Sequence, residues 1–318
     1  MCRHNLFTFN SRKTLVFFIK LAVMLGILFG FMLHISPQYS QGYCASLIDK
    51  VNRLESIEGP KIVLIGNSNL AFGIKSEEIE AAFDMPVVNM GLHGGLGNPF
   101  HEQMARLNVC EGDIYIICHS HYKNSKIGAD LAWITIEDHF ELWRLLRRED
   151  IIPMIRAYPA YFKSCIGLWL NNAGNQSSAS DGVYQRNAFN EYGDIDWDDS
   201  DRVFTVPEGE IVIAPIEDAA VERLNKLNQY LNDRGATMLI AGYPIADCAY
   251  TPPKEEYDAF QKELSLKLDA SVISNFRDYI YPESYFFNAV LHLNTVGKEV
   301  RTHQLISDLE GYFASLVE

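Results

Sequence analysis

A serine two places beyond a glycine, at the end of an apolar run, is the first point in this chain where covalent chemistry is within reach. Lys61-Ile62-Val63-Leu64-Ile65-Gly66-Asn67-Ser68-Asn69 reads as a buried parallel strand that emerges at Gly66 and presents Ser68 at the rim of a sheet. A serine hydroxyl is almost fully protonated at neutral pH, so it needs a general base to become a nucleophile. His292 is the candidate base, set in Asn288-Ala289-Val290-Leu291-His292-Leu293-Asn294 ahead of an amphipathic stretch. Taken alone, Gly66-Asn67-Ser68-Asn69 also reads as a polar turn. The pairing with His292 makes Ser68 the candidate nucleophile.

The elements that must position this pair follow from the alternation of apolar runs with helical periodicity. Strands are predicted at 61–66, 86–90, 113–119, 236–242 and 271–274. Helices are predicted at 45–54, 99–109, 216–233, 253–268 and 295–316, and one more after Ser76 as an N-cap, with Glu77 and Glu78 in its first turn and Ile79, Ala82 and Phe83 on its buried face. Strands separated by helices of this length imply an α/β fold with a five-stranded parallel sheet, whose ligands gather outside the carboxyl ends of the strands. Residues 124–200 break the rhythm. Two apolar helical stretches, 136–148 and 152–170, lead into a polar loop, Asn171 to Gly182, and read either as an insertion capping the sheet edge or as a helical pair of the core.

The glycine-rich stretch Gly91-Leu92-His93-Gly94-Gly95-Leu96-Gly97 follows the second strand, where a backbone N–H could face a reacting carbonyl. It also reads as a plain glycine loop. A dinucleotide site is excluded, because Gly66 is not followed by Gly-Xaa-Gly. His93 and His101 are expected on the surface or behind the site. His119 and His121 alternate at the end of the third strand in the manner of a metal pair, but no carboxylate is fixed nearby by spacing, so no metal and no cofactor are assigned.

The chain has 318 residues, 48% of them hydrophobic, and a net charge of -14. Its first 35 residues hold Arg3, Arg12, Lys13 and Lys20 and no acidic residue, so the remainder carries about -18. A surface of that sign excludes nucleic acid as a partner. Leu15 to Ile35 is apolar apart from Lys20 and His34 and is long enough to cross a bilayer. Its preceding basic residues imply a cytoplasmic N-terminus and an extracytoplasmic domain, with 1–35 as an uncleaved anchor in the cell membrane rather than a cleaved signal, 36–60 as linker and short helix, and 61–318 as the α/β domain. Beyond Cys2, the cysteines Cys44, Cys110, Cys118, Cys165 and Cys248 show no zinc spacing. Buried thiols are expected, with a bridge from Cys44 or Cys165 to Cys248 left open.

The strand followed by Gly66-Asn67-Ser68 resembles the first signature of the SGNH (GDSL-type) hydrolases, with Asn67 where Asp is usual. Gly91 matches the glycine of their second signature. The run Asn288 to Asn294, followed by Gly297 and Arg301-Thr302, resembles the terminal signature of membrane-anchored SGNH-like proteins of bacterial cell-surface polymer acylation, and Tyr184 to Asp194 resembles another segment of that subgroup. The third signature, Gly-Xaa-Asn, is absent: the chain reads Cys118-His119-Ser120-His121-Tyr122.

The resemblance implies a flavodoxin-like three-layer α/β/α sandwich and a serine O-acyl esterase or O-acyltransferase acting on a cell-envelope polysaccharide. Ser68 would be the nucleophile and His292 its base. Ser68, Gly91 and Asn69 would bind the oxyanion. Asn288 occupies the acid position, with Asp278 or Glu283 as alternative partners of His292. The rival reading is a non-catalytic module that binds glycan or docks on a membrane-bound O-acyltransferase.

Overall fold

The computed structural model describes residues 11–36, 38–137, 139–172, 182–197, 205, 207–209 and 211–317. Helix α1 (Ser11–Ile35) is followed by a turn at Tyr43–Ser46 and by α2 (Leu47–Ser56). Strand β1 (Ile62–Gly66) runs into the single-turn helix α3 (Ser68–Ala71), then α4 (Ser76–Phe83) and β2 (Val87–Asn89). Helix α5 (Asn98–Met104) leads to β3 (Ile114–Cys118), followed by α6 (Ala129–Ile136) and the long α7 (Ile151–Asn172). Next come α8 (Asp218–Asn232), β4 (Thr237–Ile240), β5 (Ile245–Ala246), α9 (Lys254–Lys267) and β6 (Ser271–Val272). After β7 (Ile280–Tyr281), the hairpin β8 (Phe286–Ala289) and β9 (His292–Leu293) feeds α10 (Thr295–Ser315).

The main sheet is five-stranded and parallel, in the order β2-β1-β3-β4-β6. Side-chain alternation divides its core. Ile62, Leu64, Ile114, Ile116 and Leu239 pack with Ile79 of α4 and Leu305 and Leu309 of α10. Their neighbours Val63, Ile65, Tyr115, Ile117, Met238 and Ile240 cluster instead with Leu47, Phe100, Leu224 and Leu264, from α2, α5, α8 and α9. Strands buried on both faces explain the unbroken apolar runs, each full side chain contributing roughly 1.5–3 kcal/mol of burial. At the base of the sheet a fully buried Lys61–Asp113 ion pair, 2.9 Å, joins the starts of β1 and β3. Asp113 also accepts from the Lys61 and Cys110 N–H groups, so its charge is well hydrogen-bonded and the two strands are pinned in register.

Several boundaries differ from the sequence expectation. The predicted helix 136–148 is instead α6, ending at Ile136, then 3-10 turns at Phe140–Leu145 and Arg148–Asp150. Glu137, still helical in its backbone, caps α6, and its carboxylate accepts from Tyr39 N–H, 2.6 Å, and from Tyr161 O–H. The predicted helix 99–109 stops at Met104, and Asn108 adopts a left-handed backbone whose Nδ2 caps the carbonyls of Leu54 and Ile57. Ser76 is not a cap acceptor: its N–H and O–H both donate to buried Asp194, each at 2.7 Å. The polar loop expected at Asn171 to Gly182 falls almost wholly outside the described residues. Among the described residues no cysteines are joined by a disulfide, so neither bridge to Cys248 is formed.

Candidate active site

Ser68 opens α3 immediately after β1, at the point where the sheet order turns from β2-β1 outward to β3. That switch point is where a doubly wound sheet leaves a crevice. Asn67 spans it. Its Nδ2 donates to Ser120 Oγ beyond β3, 2.9 Å, while its Oδ1 accepts from Asn69 N–H, 2.9 Å, fixing the turn that projects Ser68.

His292 arrives from the other end of the chain on the β8–β9 hairpin. Its Nε2 lies 2.8 Å from Ser68 Oγ and its Nδ1 2.8 Å from Asn288 Oδ1. Asn288 Nδ2 donates to Tyr184 O–H, 2.7 Å, which orients the amide. With Oδ1 accepting, Nδ1 carries the imidazole proton and Nε2 is left to accept from the serine hydroxyl. This is the tautomer a general base requires.

The imidazole is stacked flat on Phe72, ring centroids 4.1 Å apart, in an aromatic wall that continues through Tyr43, Tyr184 and Phe287. Burial pushes its pKa down to about 4, with the nearby His93 adding to the shift. No carboxylate offsets that burial: Asn288 fills the Nδ1 position, exposed Asp278 pairs with Asn275 Nδ2, and the charge of Glu283 acts on Cys248.

Two expected oxyanion donors are committed elsewhere. The Gly91 N–H donates to Asn89 Oδ1, 2.9 Å. Gly91 is needed for close approach, since a Cβ there would come within 2.7 Å of Ala71 N and Leu70 Cβ. Asn69 is fully buried, with its N–H on Asn67 Oδ1 and its Nδ2 shared between Asn67 Oδ1, 2.7 Å, and Cys118 O, 3.0 Å. Both residues shape the turn rather than face a ligand. Among the described residues no acceptor meets the N–H of Ser68 or of Gly94, and Gly94 lies against Asn67.

Sequence comparisons and structure comparisons add no relative. No family model, curated protein or solved structure matches the chain.

The histidines separate by environment. His93 is exposed and its Nδ1 accepts from Gly95 N–H, 3.0 Å. His101, expected at the surface or behind the site, is fully buried on α5, and burial beside His119 lowers its pKa to about 3. His119 and His121 do not form a pair, because β3 ends at Cys118 and His119 Nε2 turns to Glu102 Oε1, 3.3 Å. Glu102 in turn accepts from Arg223. Among the described residues no three His, Cys, Asp or Glu groups converge as metal ligands.

Sequence reasoning left three positioning residues unassigned. Fully buried Arg301 of α10 donates through Nη1 to Asn69 O and through Nη2 to Asn69 Oδ1, 2.9 Å, with Gly242 O at 3.4 Å. It thus fastens the serine turn to the helix that follows His292. A Cβ at Gly73 would overlap Asn69 O and Arg301 Nη1, so that glycine makes room for the guanidinium. Tyr184 heads a segment that was noticed without a role, and Phe72 gave no signal beyond being one more apolar residue. The rest of that segment folds on the core: Arg186 pairs with Asp49 and Asp194 binds Ser76 and Asn89.

Proposed function

We propose that this protein is an SGNH-type serine O-acyl esterase or O-acyltransferase, anchored by α1 in the cell membrane with its α/β domain on the extracytoplasmic side. The carrying observation is the 2.8 Å approach of His292 Nε2 to Ser68 Oγ with Nδ1 held by Asn288. The order of the five parallel strands supports a flavodoxin-like three-layer sandwich, in which that approach falls at the switch point. The 24-residue apolar stretch Arg12–Ile35, exposed along most of its length up to the buried Ile35, supports the anchor, and the basic residues before it support the orientation.

In the reaction, Ser68 Oγ bonds to the carbonyl carbon of an O-acyl donor as its proton passes to His292 Nε2. The N–H groups of Ser68 and Gly94 are the donors available to the oxyanion. Collapse breaks the bond to the leaving alcohol, which takes the proton from His292. Water or a sugar hydroxyl then attacks the acyl-serine by the same route, giving hydrolysis or transfer. The proposed substrates are acylated envelope glycans or another acyl donor.

Active-site labelling with a fluorophosphonate tests this reading on the full chain in detergent, comparing wild type with Ser68→Ala and His292→Ala. Labelling that requires both residues is the expected result. An unlabelled but folded wild type would overturn it. That outcome would favour a non-catalytic module that binds glycan or docks on a membrane-bound O-acyltransferase, a reading supported by Asn288 standing where a carboxylate is usual in the family it resembles.

A further inference from the structure

Helix α7 carries a row of apolar residues that the protein covers only in part, Phe162 and Ile166 being half-buried and the rest exposed. Ile152, Ile155, Pro159, Phe162, Ile166 and Leu170 fall within an arc of about 80° at 100° per residue. Ile152, Ile155 and Leu170 are 59%, 65% and 60% exposed. The opposite side, Met154, Tyr161 and Cys165, is buried in the domain.

The occupant of that row is indicated by where α1 ends. Ile35, its last residue, is fully buried against Tyr161 and Cys165, with Phe162 and Ile166 of the row packed on the same cluster. Tyr161 Oη, whose proton goes to Glu137, also lies 3.0 Å from Ser36 O, so the end of α1 sits directly on α7. An apolar helix that crosses a bilayer leaves it at its last apolar turn, and here that turn rests on α7. The chemistry around the junction suits an interface. Trp133, Trp143 and Trp169, three of the four tryptophans in the chain, lie in or beside this cluster with Tyr39 and Tyr158. Helix α7 itself contains Arg156 and Lys163 and no acidic residue, in a chain of net charge -14. Aromatic residues at headgroup depth and basic residues beside an exposed apolar face are features of a helix lying in the plane of a membrane surface, here with its other face packed on the domain.

We infer that α7 is an interfacial helix, its Ile152–Leu170 row seated among the lipids of the leaflet from which α1 emerges. This rests on the reading of α1 as a membrane anchor. The domain is then docked at two points and held in one orientation. The site is close: Tyr43, which packs on Phe72 beneath His292, is eight residues beyond Ile35, so the site wall stands at most about 29 Å from the exit point.

The test places a photoreactive benzoylphenylalanine in the full chain at Ile155 or Leu170, at Phe29 within α1, and at Leu266, an exposed residue of α9. The chain is reconstituted in nanodiscs of phosphatidylethanolamine and phosphatidylglycerol, and also irradiated in cell membranes. Lipid adducts at 155 and 170 within about threefold of those at 29, and at least about tenfold above 266, are expected. Adducts at 29 without adducts at 155 and 170 would overturn the inference and leave the anchor intact. Crosslinks from 155 or 170 to a second copy or another protein would likewise overturn it, since a protein would then cover the row. Absence of adducts at 29 would remove the anchor and the inference together.

Discussion

Replacing Asn288 by Asp tests how the base is tuned. In wild type, Nδ1–H of His292 faces a neutral amide oxygen at 2.8 Å and the ring pKa is pushed down to about 4. The base is therefore neutral above about pH 4, but the imidazolium formed during attack gains no charge stabilisation. A carboxylate at 288 stands about 4 Å from the imidazolium charge, worth about 4 kcal/mol at an effective dielectric of about 20, or up to about 3 pH units. The acid limb of the inactivation rate should move from about pH 4 to about 5–7. In serine proteases the reverse change costs about 10⁴ in turnover, part of it through the wrong tautomer. Here Asn288 already selects the right tautomer, so a gain of about 10²–10³ is expected for Asn288→Asp at pH 8. The Tyr184 hydroxyl can donate to the new carboxylate, so the hairpin need not move. The assay is the rate of fluorophosphonate labelling, or hydrolysis of an activated acetate ester, from pH 3.5 to pH 9. A folded Asn288→Asp protein whose rate and acid limb both match wild type would refute His292 as the base.

Arg301→Ala should lower stability by about 2–4 kcal/mol in urea titration, because Asn69 O and Oδ1 and Gly242 O lose their donor together. Arg301→Lys should recover only part of that loss, lacking the planar fork. Gly91→Ala should cost about 1–3 kcal/mol and slow labelling, since its methyl group would meet Ala71 N and Leu70 Cβ at 2.7 Å. Lys50 is buried under Phe189 with its ammonium on Asn89 O and Gly193 O, and burial lowers its pKa to about 7. Between pH 7 and the ordinary lysine value the unfolded chain binds the extra proton, so stability should rise with pH across that window by up to about 1.4 kcal/mol per unit. Lys50→Met should flatten that slope, as read from denaturation midpoints at successive pH values.

Both residues of the hydrogen-bonded Ser68–His292 pair were legible in the sequence because each sits where a local rule applies. Ser68 follows a strand that ends in glycine, and His292 lies in a polar run before a helix. The sheet was legible for a related reason: strands buried on both faces leave unbroken apolar runs. Two of the three expected oxyanion donors, Gly91 and Asn69, are taken up by acceptors. Asn89 and Asn67, each two residues upstream, hold them in Asx-type turns, and the Cys118 carbonyl that the fold brings in takes the rest of the Asn69 amide. Arg301 and Tyr184 gave no sign of a task, since their hydrogen-bond partners, Asn69 and Asn288, lie 232 and 104 residues away. The helix placed at 136–148 is replaced by the end of α6 at Ile136, and the contacts of its cap Glu137 with Tyr39 and Tyr161 are tertiary ones.

The hydrogen bond between Ser68 and His292 joins residues 224 positions apart. A ribosome adding 5–20 residues each second needs roughly 10–45 s to travel from one codon to the other. Throughout that interval the serine has left the ribosome as an ordinary alcohol, with its base not yet made and the arginine that braces its turn later still. Under the proposed reading, reactivity is a property of the finished chain, and a stalled or truncated product carries only an unassisted hydroxyl.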